Sequence, residues 1–353
     1  MNSNFGESLR RLPGPILVTG HTGFKGTWLT LLLETLGIRV VGISLPPESD
    51  SLYSLMARKN KIEEKFIDIR NLSGLHRTIQ KFSPSAVLHM AAQPLVLESY
   101  ESPLLTFETN VIGSANLFQS CLETSSVKSI GVITTDKVYK NLGSGRAFTE
   151  SDPLEGRDPY SASKVGTESV VTAWREISSN NSGPQIFSLR AGNVIGGGDR
   201  ATNRLLPDIV KSKLYGSPLL VRNPRSTRPW QHVLDPLHGY LLALEKSLSN
   251  EIAPAYNFGP ESKSLTAQDV LKIANDAWGG SIQVENLHKP KNNKYEAVDL
   301  AIDSSLSFKE LNWSPRWSQV EAVRSTINWW VQVSEGNLTP NQACALDIEF
   351  LFT

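Results

Sequence analysis

One glycine-rich segment restricts the folds open to this chain more than any other feature. The apolar run ILVT at positions 16–19 leads into GHTGFKG at positions 20–26, and a stretch with the apolar spacing of a helix follows. Gly20 suits the positive φ of a tight turn, Gly23 lets the backbone approach a pyrophosphate, and Gly26 permits close packing of helix on strand. This order of strand, turn and helix predicts a dinucleotide site at the end of the first strand.

Five further apolar runs alternate with longer amphipathic stretches in the first half of the chain. They predict strands at Val40–Ser44, Phe66–Ile69, Ala86–Met90, Ile130–Thr134 and Ile186–Arg190. Buried parallel strands form continuous apolar runs, and parallel strands need helical connections. The predicted fold class is therefore α/β, with a doubly wound parallel Rossmann-type sheet covered by helices on both faces.

The regular alternation ends after position 190. Loops that contain Gly and Pro follow, then short helices and strands, and a tryptophan-bearing helix near Val320 to Val333. The change predicts a smaller, partly interleaved α/β domain for the substrate. The boundaries that we expect are a dinucleotide-binding domain at 1–190 to which 230–256 returns, a substrate domain at 191–229 and 257–335, and a tail at 336–353.

The charge balance and hydropathy exclude several classes of partner. The 35 Lys and Arg residues equal the 35 Asp and Glu residues, so no overall field attracts nucleic acid or an anionic membrane. An anionic ligand must then be held by a local cluster of cations. No stretch reaches the roughly 18 uncharged apolar residues of a membrane span, and no apolar segment precedes the first strand. We expect neither nucleic acid nor a membrane as a partner.

Cysteine and histidine spacing gives no sign of a metal. Cys121 and Cys344 are the two cysteines, far apart in the chain, and they match neither a disulfide scaffold nor a zinc site. The six histidines lack paired ligand spacing, so each is expected to be structural or on the surface. We expect no metal, and a reducing cytoplasm as the compartment.

Two further strand ends carry candidate cofactor residues. Asp68 and Ile69 at the end of the third predicted strand could reach the adenine. Ala91, Ala92 and Gln93, after the fourth strand, could line the nicotinamide side, because ligands gather at the carboxyl ends of such strands. Each group could instead be an ordinary turn at a strand end.

The end of the second strand bears on the choice between NAD and NADP. An acidic residue that holds the ribose hydroxyls of NAD is typical there, but this chain has GISLP at positions 42–46. Apart from nearby Arg39, no arginine cluster for a 2′-phosphate replaces it. We expect NAD.

A tyrosine and a lysine stand four residues apart in the segment YSASK. Tyr160 and Lys164 therefore face the same side of a predicted helix. A neighbouring cation favours the phenolate, so Tyr160 could remove a proton from a sugar hydroxyl while hydride leaves the same carbon. Such a pair also arises by chance. Its context adds weight, because Thr135, Asp136 and Lys137 end the fifth predicted strand, where three buried polar side chains are otherwise costly.

Together these segments resemble the extended short-chain dehydrogenase/reductase family of NAD-dependent epimerases and dehydratases, and within it the nucleotide-sugar 4,6-dehydratases. The resemblance covers about residues 16–330 and rests on TGHTGFKGTW, HMAAQPLV, TTDKVY, DPYSASK, RAGNVIGGGD, RLLPD, VRNP, RPWQHV and YNFGP. Of these, the Thr-Asp-Lys triplet is the most specific, since related dehydratases of dTDP-glucose and GDP-mannose carry a glutamate in place of the lysine.

The resemblance implies a role for each catalytic candidate. Tyr160 and Lys164 would be the hydroxyl base and its electrostatic partner, and Thr135 would bond the sugar O4. Asp136 would protonate the departing 6-hydroxyl, and Lys137, as a neutral amine, would remove the C5 proton made acidic by a transient 4-ketone.

The reaction implied is an NAD-dependent dehydration of a nucleotide sugar, with CDP-glucose the favoured substrate. Hydride would pass from C4 to C6 via NAD with no net redox change. The resemblance also implies a homodimer built on helices near Pro103 to Glu123 and Tyr160 to Ile177, and a place in deoxysugar biosynthesis such as that of the lipopolysaccharide O-antigen. A dehydratase of another nucleotide sugar, a 4-epimerase and a non-catalytic dinucleotide-binding protein remain alternatives.

The resemblance further implies two sets of binding residues. The cofactor set is Gly20, Thr22, Gly23, Phe24, Lys25, Gly26, Asp68, Ile69, Ala91, Ala92, Gln93, Asn110, Tyr160 and Lys164. The substrate set is Gln93, Asn193, Arg204, Leu205, Arg222, Arg228 and Asn257. The guanidinium fork suits phosphate geometry, so the arginines supply the local cluster of cations that zero net charge requires, although each could be a solvated surface arginine.

Overall fold

A computed structural model describes residues 5–143, 145–221, 223–249, 251–261, 264–280, 282, 284–285 and 300–353. Its strands are β1 Ile16–Thr19, β2 Val40–Ser44, β3 Glu63–Phe66, β4 Ala86–His89, β5 Ser129–Ile133, β6 Gln185–Ala191, β7 Asn193–Ile195, β8 Leu219–Leu220, β9 Thr227–Arg228, β10 Trp230–His232, β11 Ala255–Phe258, β12 Leu265–Thr266 and β13 Val284–Glu285.

The α-helices are α1 Glu7–Arg10, α2 Phe24–Thr35, α3 Leu52–Leu55, α4 Leu72–Phe82, α5 Val96–Glu101, α6 Pro103–Phe107, α7 Gly113–Leu122, α8 Pro159–Asn180, α9 Leu205–Tyr215, α10 Leu234–Ser247, α11 Ala267–Trp278, α12 Ser305–Leu311, α13 Gln319–Ser334 and α14 Pro340–Phe352. A π-helical turn, Glu108–Ile112, joins α6 to α7, and a 3₁₀ turn, Asp136–Val138, follows β5. In the described part of the chain, no helix is both long enough and apolar enough to cross a membrane.

Seven parallel strands form the central sheet in the order β11-β6-β5-β4-β1-β2-β3. The order reverses direction around β1, which is the doubly wound arrangement that the sequence predicts. Strands β1, β4 and β5 are buried along their whole length, as expected for parallel strands covered on both faces. The predicted α/β fold is confirmed.

The third strand differs from its prediction. The sequence predicts Phe66–Ile69, but the strand is Glu63–Phe66. It pairs with β2 at the edge of the sheet, where its side chains alternate between exposed and half-buried. The apolar run that suggested a strand continues past its end, and Ile69 packs in the core beside Gly113 of α7.

The second half of the chain adds both to the main sheet and to smaller sheets. Strand β11 pairs with β6 at the sheet edge, so part of the predicted returning segment 230–256 extends the sheet, as far as Phe258. Strand pairs β7–β10, β9–β12 and β8–β13 lie outside it. One core cluster includes residues from β1 and α2 as well as from α11 and α13, so the two predicted domains share a hydrophobic core.

The segment 336–353 is not a free tail. It contains α14, a helix of 13 residues whose capping box is formed by Thr339 and Gln342. Cys344, Ile348 and Leu351 of this helix are buried in the main core cluster. The packing of its apolar face against the rest of the protein explains why the helix is stable, which the local composition did not indicate.

Candidate active site

The glycine turn between β1 and α2 has the geometry of a phosphate cradle. Gly20 has φ 75°, and a Cβ there would lie 2.9 Å from the backbone nitrogen of Ala91. At Gly26 a Cβ would lie 2.1 Å from the carbonyl oxygen of Gly20. Gly23 is the N-cap of α2 and provides no side-chain hydrogen bond, so the first N–H groups of the helix remain available to an anion. These residues fit the pyrophosphate of a dinucleotide.

Thr22 fastens this turn to the end of β2. Its hydroxyl lies 2.7 Å from that of Ser44 and donates a 3.1 Å hydrogen bond to the carbonyl of Leu45. Leu45, the residue after the last residue of β2, is 56% exposed and stands where an acidic residue is typical of NAD-binding chains. The ring of His21 lies over Gly42, where a Cβ would be 2.5 Å away, and it contacts Glu64 at 2.7 Å.

The predicted adenine residues divide between surface and core. Asp68 forms an ion pair with Arg70, whose guanidinium holds the pKa of that carboxyl below its ordinary value. Its half-exposed position leaves it within reach of a ligand. The side chain of Ile69 is only 4% exposed and belongs to the core, so its prediction as a cofactor contact is corrected for the side chain.

Asn110, in the π-helical turn, is hydrogen-bonded to the loop after β4. The Asn110 amide accepts a hydrogen bond from the Gln93 nitrogen at 2.8 Å and donates to the hydroxyl of Ser163 at 2.8 Å. The Gln93 side chain is buried, and both of its ends are bonded, to Leu95 and Thr106. Gln93 therefore shapes this loop, and its prediction as a side-chain ligand of cofactor and substrate is corrected. Ala91 and Ala92 in the same loop are half-buried beside the glycine turn.

Thr135, Asp136 and Tyr160 lie together at the end of β5. The Thr135 hydroxyl donates to Asp136 Oδ1 at 3.1 Å and is also hydrogen-bonded to Tyr160. Asp136 is 1% exposed, and its Oδ2 is buried without a hydrogen-bond partner. Gly192 keeps space beside that oxygen, since a Cβ there would be 3.3 Å away. A buried oxygen without a partner is rare, and here it is available to a ligand.

Burial shapes the proton affinity of the Tyr160 and Lys164 pair on α8. Burial raises the pKa of Tyr160 to about 12, while the Thr135 hydrogen bond and the Arg204 charge act in the opposite direction. Burial lowers the pKa of Lys164 to about 8, and the charge of Glu168 partly offsets this. Lys164 Nζ donates to the carbonyl of Ile133 at 3.2 Å.

Lys25 contributes a second ammonium to the same region. Burial and the charges of Lys164 and Arg204 lower the pKa of Lys25 to about 7. Its Nζ donates to the hydroxyl of Tyr240 at 2.9 Å. Repulsion among three neighbouring cations favours the binding of an anion between them.

Lys137 follows the buried carboxyl in the 3₁₀ turn and is half-exposed. Its backbone nitrogen donates to the Thr135 hydroxyl at 3.3 Å, so the Lys137 backbone lies beside the cluster of Thr135, Asp136 and Tyr160. Its Nζ has no hydrogen-bond or ion-pair partner among the described residues.

The predicted substrate residues are distributed over several loops. Arg204, the N-cap of α9, forms a 3.3 Å contact with Asp199 and acts electrostatically on Tyr160. Asn193 begins β7 and has a buried Oδ1 without a partner. Arg228 is 5% exposed on β9. Further members of the set are Leu205, which is half-buried, and Arg222, which lies outside the described residues. Phe24, from the predicted cofactor set, is half-buried at the start of α2.

Asn257 is not positioned to bind a substrate. It is fully buried on β11, and its amide nitrogen donates to the carbonyls of Phe148 and Asp303. Its amide oxygen accepts from the Tyr139 hydroxyl at 2.6 Å. The prediction of a substrate contact is therefore wrong, since the side chain joins three segments of the chain instead.

Two residues at the site, Tyr240 and Glu168, are not among the site residues that the sequence predicts. Tyr240 contacts Lys25 across 215 positions, for which the sequence offered no local signal. Glu168 lies one helical turn after Lys164, and the spacing Tyr160, Lys164, Glu168 could have indicated it. Among the described residues, no group of three or more His, Cys, Asp or Glu side chains could hold a metal ion.

Comparison with known proteins finds relatives that cover most of the chain. The family model described as GDP-mannose 4,6 dehydratase matches residues 17–326. The CDP-glucose 4,6-dehydratase of Salmonella typhimurium is 37% identical over 344 residues, covering 94% of this chain and 94% of the relative. The dTDP-glucose 4,6-dehydratase of Xanthomonas campestris is 27% identical, covering 89% of this chain and 92% of the relative.

Solved structures share the fold at lower identity. A dTDP-glucose 4,6-dehydratase from Streptomyces venezuelae with NAD bound has a TM-score of 0.79 and 24% identity, covering 93% of this chain and 99% of its own. The UDP-glucose 4-epimerase of Thermus thermophilus in complex with NAD has a TM-score of 0.78 and 24% identity, covering 90% and 98%. These likenesses establish the fold.

Proposed function

Because the chain belongs to the GDP-mannose 4,6-dehydratase family of extended short-chain dehydrogenases/reductases, we propose that it converts CDP-glucose to CDP-4-keto-6-deoxyglucose. One observation carries the proposed dehydration: the Asp136 carboxyl is buried beside Tyr160 and keeps one oxygen without a partner. Oxidation at C4 needs only a base, so an additional acid at this position suits the loss of a hydroxyl. The substrate class follows from the Salmonella typhimurium relative.

The glycine turn, Thr22 and the uncapped N-terminus of α2 would hold the pyrophosphate of NAD. Asp68, with the loop of Ala91 and Ala92, would lie along the rest of the cofactor. NAD, when bound, supplies the acceptor for the C4 hydride and the donor that returns it to C6.

Tyr160 would remove the proton from the sugar 4-hydroxyl. A phenol with a pKa raised to about 12 is a strong base once deprotonated. The Lys164 ammonium, one turn along α8, would stabilise the phenolate. The Thr135 hydroxyl, bonded to Tyr160, would orient the sugar O4.

Elimination would use the two residues after Thr135. The 4-ketone makes the C5 proton acidic, and Lys137 would remove it as a neutral amine. Asp136 would give a proton to the 6-hydroxyl, which leaves as water. Oδ2 is the oxygen free to carry that proton, because Oδ1 already accepts a hydrogen bond from Thr135.

Cations and polar loops would hold the nucleotide diphosphate. Arg204 and Lys25 lie near the catalytic cluster, and buried Arg228 is the further candidate, together with Arg222. The free amide oxygen of Asn193 could accept a hydrogen bond from the substrate. In this proposal the segments 191–229 and 257–335 bind the nucleotide sugar, and 1–190 with 230–256 binds NAD.

A homodimer through α6, α7 and α8 is proposed from their exposed apolar side chains. Leu104 is 79% exposed, Ile112 55% and Ile177 44%, which is unusual for large apolar residues on neighbouring helices. Sedimentation should show a dimer at micromolar concentration, and Leu104→Asp with Ile112→Asp should yield monomer. A wild-type monomer at that concentration would contradict this interface.

We also place the enzyme in the cytoplasm and in deoxysugar biosynthesis, such as that of the lipopolysaccharide O-antigen. The two cysteines, Cys121 and Cys344, are free and buried, which supports a reducing compartment.

The function is tested by mass spectrometry of purified protein incubated with NAD and a panel of CDP-, dTDP-, UDP- and GDP-sugars. CDP-glucose should lose one water without accumulation of NADH. Water loss from another sugar only would assign a dehydratase of that substrate, whereas product of unchanged mass would point to a 4-epimerase and refute the dehydration.

A further inference from the structure

A buried ion pair lies beneath the catalytic lysine. Glu168 follows Lys164 by one turn of α8, and Arg190 stands on the adjacent strand β6. Arg190 Nε and Nη2 donate to the two carboxylate oxygens of Glu168, each at 2.9 Å. Both residues are 5% exposed. The bidentate geometry fixes the carboxylate in position and orientation.

Two hydroxyls complete the coordination of this carboxylate. Thr134 donates to Glu168 Oε1 at 2.6 Å, and Ser188 donates to Oε2 at 2.8 Å. Burial alone would raise the pKa of Glu168, but the Arg190 contacts and the two hydroxyls leave it below its ordinary value. Glu168 is therefore an anion at neutral pH, although almost no solvent reaches it.

The groups around Lys164 show what this anion does. Tyr160 and Glu168 lie on its own helix. Burial and the charge of Lys164 lower the pKa of Lys25 on α2 and of His89 on β4. Asp136 and Arg204 act on Tyr160, from the turn after β5 and from the start of α9, and Tyr240 of α10 contacts Lys25. Burial disfavours an ammonium at Lys164, and Glu168 supplies the opposing charge from one turn away on the same helix face.

We propose that Glu168, held by Arg190, is a positioning residue that increases the share of the catalytic couple in which a single shared proton lies on Lys164 and Tyr160 is the phenolate. The proposal rests on the dehydratase function proposed above. When the couple holds one proton, that proton is either on the amine or on the phenol. Only the form with an ammonium and a phenolate can accept the proton of the 4-hydroxyl.

The test is the single-turnover rate of NAD reduction by CDP-glucose, measured from pH 6 to pH 10. In Glu168→Gln the carboxylate charge is lost. We expect the plateau rate at high pH to fall about tenfold, and the rise of the rate to move to lower pH by about one unit. A general loss of structure would lower the rate without moving the pH at which it rises.

Ser188→Ala and Thr134→Val are the matched controls, because each removes one hydrogen bond to Glu168 but keeps the charge. Both should retain the wild-type pH profile and a plateau within about threefold of it. A Glu168→Gln profile that coincides with the wild type, or controls that shift as far, would overturn the proposal.

If Glu168→Gln does not fold, the double variant Glu168→Gln with Arg190→Gln removes both charges and leaves no buried charge uncompensated. It should show a smaller shift in the same direction, and an unshifted profile would refute the proposal. A substrate-independent readout is ¹³Cε-lysine NMR, with Lys164→Met to assign the resonance. The midpoint of Lys164 should fall in the variant even if CDP-glucose is not the substrate, so failure of the function and failure of the positioning role are separable.

Discussion

Two buried polar clusters lie at the carboxyl end of the sheet, and they are built differently. The cluster of Asp136, Tyr160 and Lys164 includes a carboxylate oxygen with no hydrogen-bond partner. In the neighbouring cluster Arg190 joins Glu168 to Tyr139, and Asn257 uses its amide oxygen and nitrogen in three hydrogen bonds. We call them the reacting cluster and the supporting cluster.

The difference indicates how burial serves function at this sheet edge. An unpartnered buried oxygen lowers stability, and at Asp136 the use of that oxygen by a ligand would explain why it is kept. A saturated network instead fixes the elements that carry the reacting groups, since Tyr139 follows the catalytic turn and Glu168 follows Lys164. Substitutions in the reacting cluster should therefore lower rate. In the supporting cluster, Glu168 also acts on Lys164, but substitutions at the other members should lower stability more than rate.

The largest effect is expected for Tyr160→Phe. Without the phenol no base accepts the 4-hydroxyl proton, so the first hydride transfer should slow by about 10³-fold, and product formation with it. Stopped-flow absorbance of NADH formation measures this step. A rate within tenfold of the wild type would remove Tyr160 from the reacting cluster.

Lys137→Met should separate the two halves of the reaction. Removal of the amine should lower product formation and solvent-deuterium exchange at C5 by about 10²-fold, while NAD reduction in a single turnover persists. Lys140→Met is the control, because Lys140 forms a surface ion pair with Glu155. Exchange at C5 that matches the wild type would show that another residue is the base.

The pH dependence of hydride transfer should follow the couple of Tyr160 and Lys164. At low pH the couple holds two protons and cannot accept a third. Loss of one proton gives the singly protonated couple, a share of which is the reactive pair of ammonium and phenolate. Because burial lowers the lysine pKa to about 8, the couple loses this proton near pH 8, and the rate should rise about tenfold from pH 7 to a plateau above pH 8. A rate that declines between pH 7 and pH 9 contradicts this assignment.

Tyr139→Phe should have the smallest effect on rate and a clear effect on stability. The change removes a hydroxyl that Arg190 and Asn257 both contact, so the free energy of unfolding should fall by about 1–3 kcal/mol. Turnover of the folded enzyme should stay within about threefold of the wild type. Urea unfolding and steady-state assays together check this. Unchanged stability with a large loss of turnover would contradict the distinction between the clusters.

Contiguous patterns predicted the parts of the molecule that depend on local sequence. The glycine turn and the spacing of Tyr160 and Lys164 each lie within one element and its adjacent turn. The sheet class follows from apolar runs that can be recognised one strand at a time. The register of β3 failed because pairing with β2, not local hydrophobicity, determines where an edge strand ends.

The sequence could not predict in the same way which polar side chains are hydrogen-bonded within the protein. Asn257 and Gln93 are both polar residues near strand ends, where ligands usually bind. Phe148 lies 109 residues from Asn257, and Thr106 lies 13 residues from Gln93, so the sequence does not reveal that these hydrogen bonds are already made. The unpartnered oxygen of Asp136 depends equally on tertiary contacts, including the space left by Gly192.

The most direct test of the account follows a label from C4 of the sugar. CDP-glucose deuterated at C4 is incubated with the enzyme and NAD, and the product is examined by NMR and mass spectrometry. The reacting cluster predicts a product that has lost water and carries the deuterium at C6, with no NADH released. Stoichiometric NADH, or a product of unchanged mass with deuterium still at C4, would contradict it.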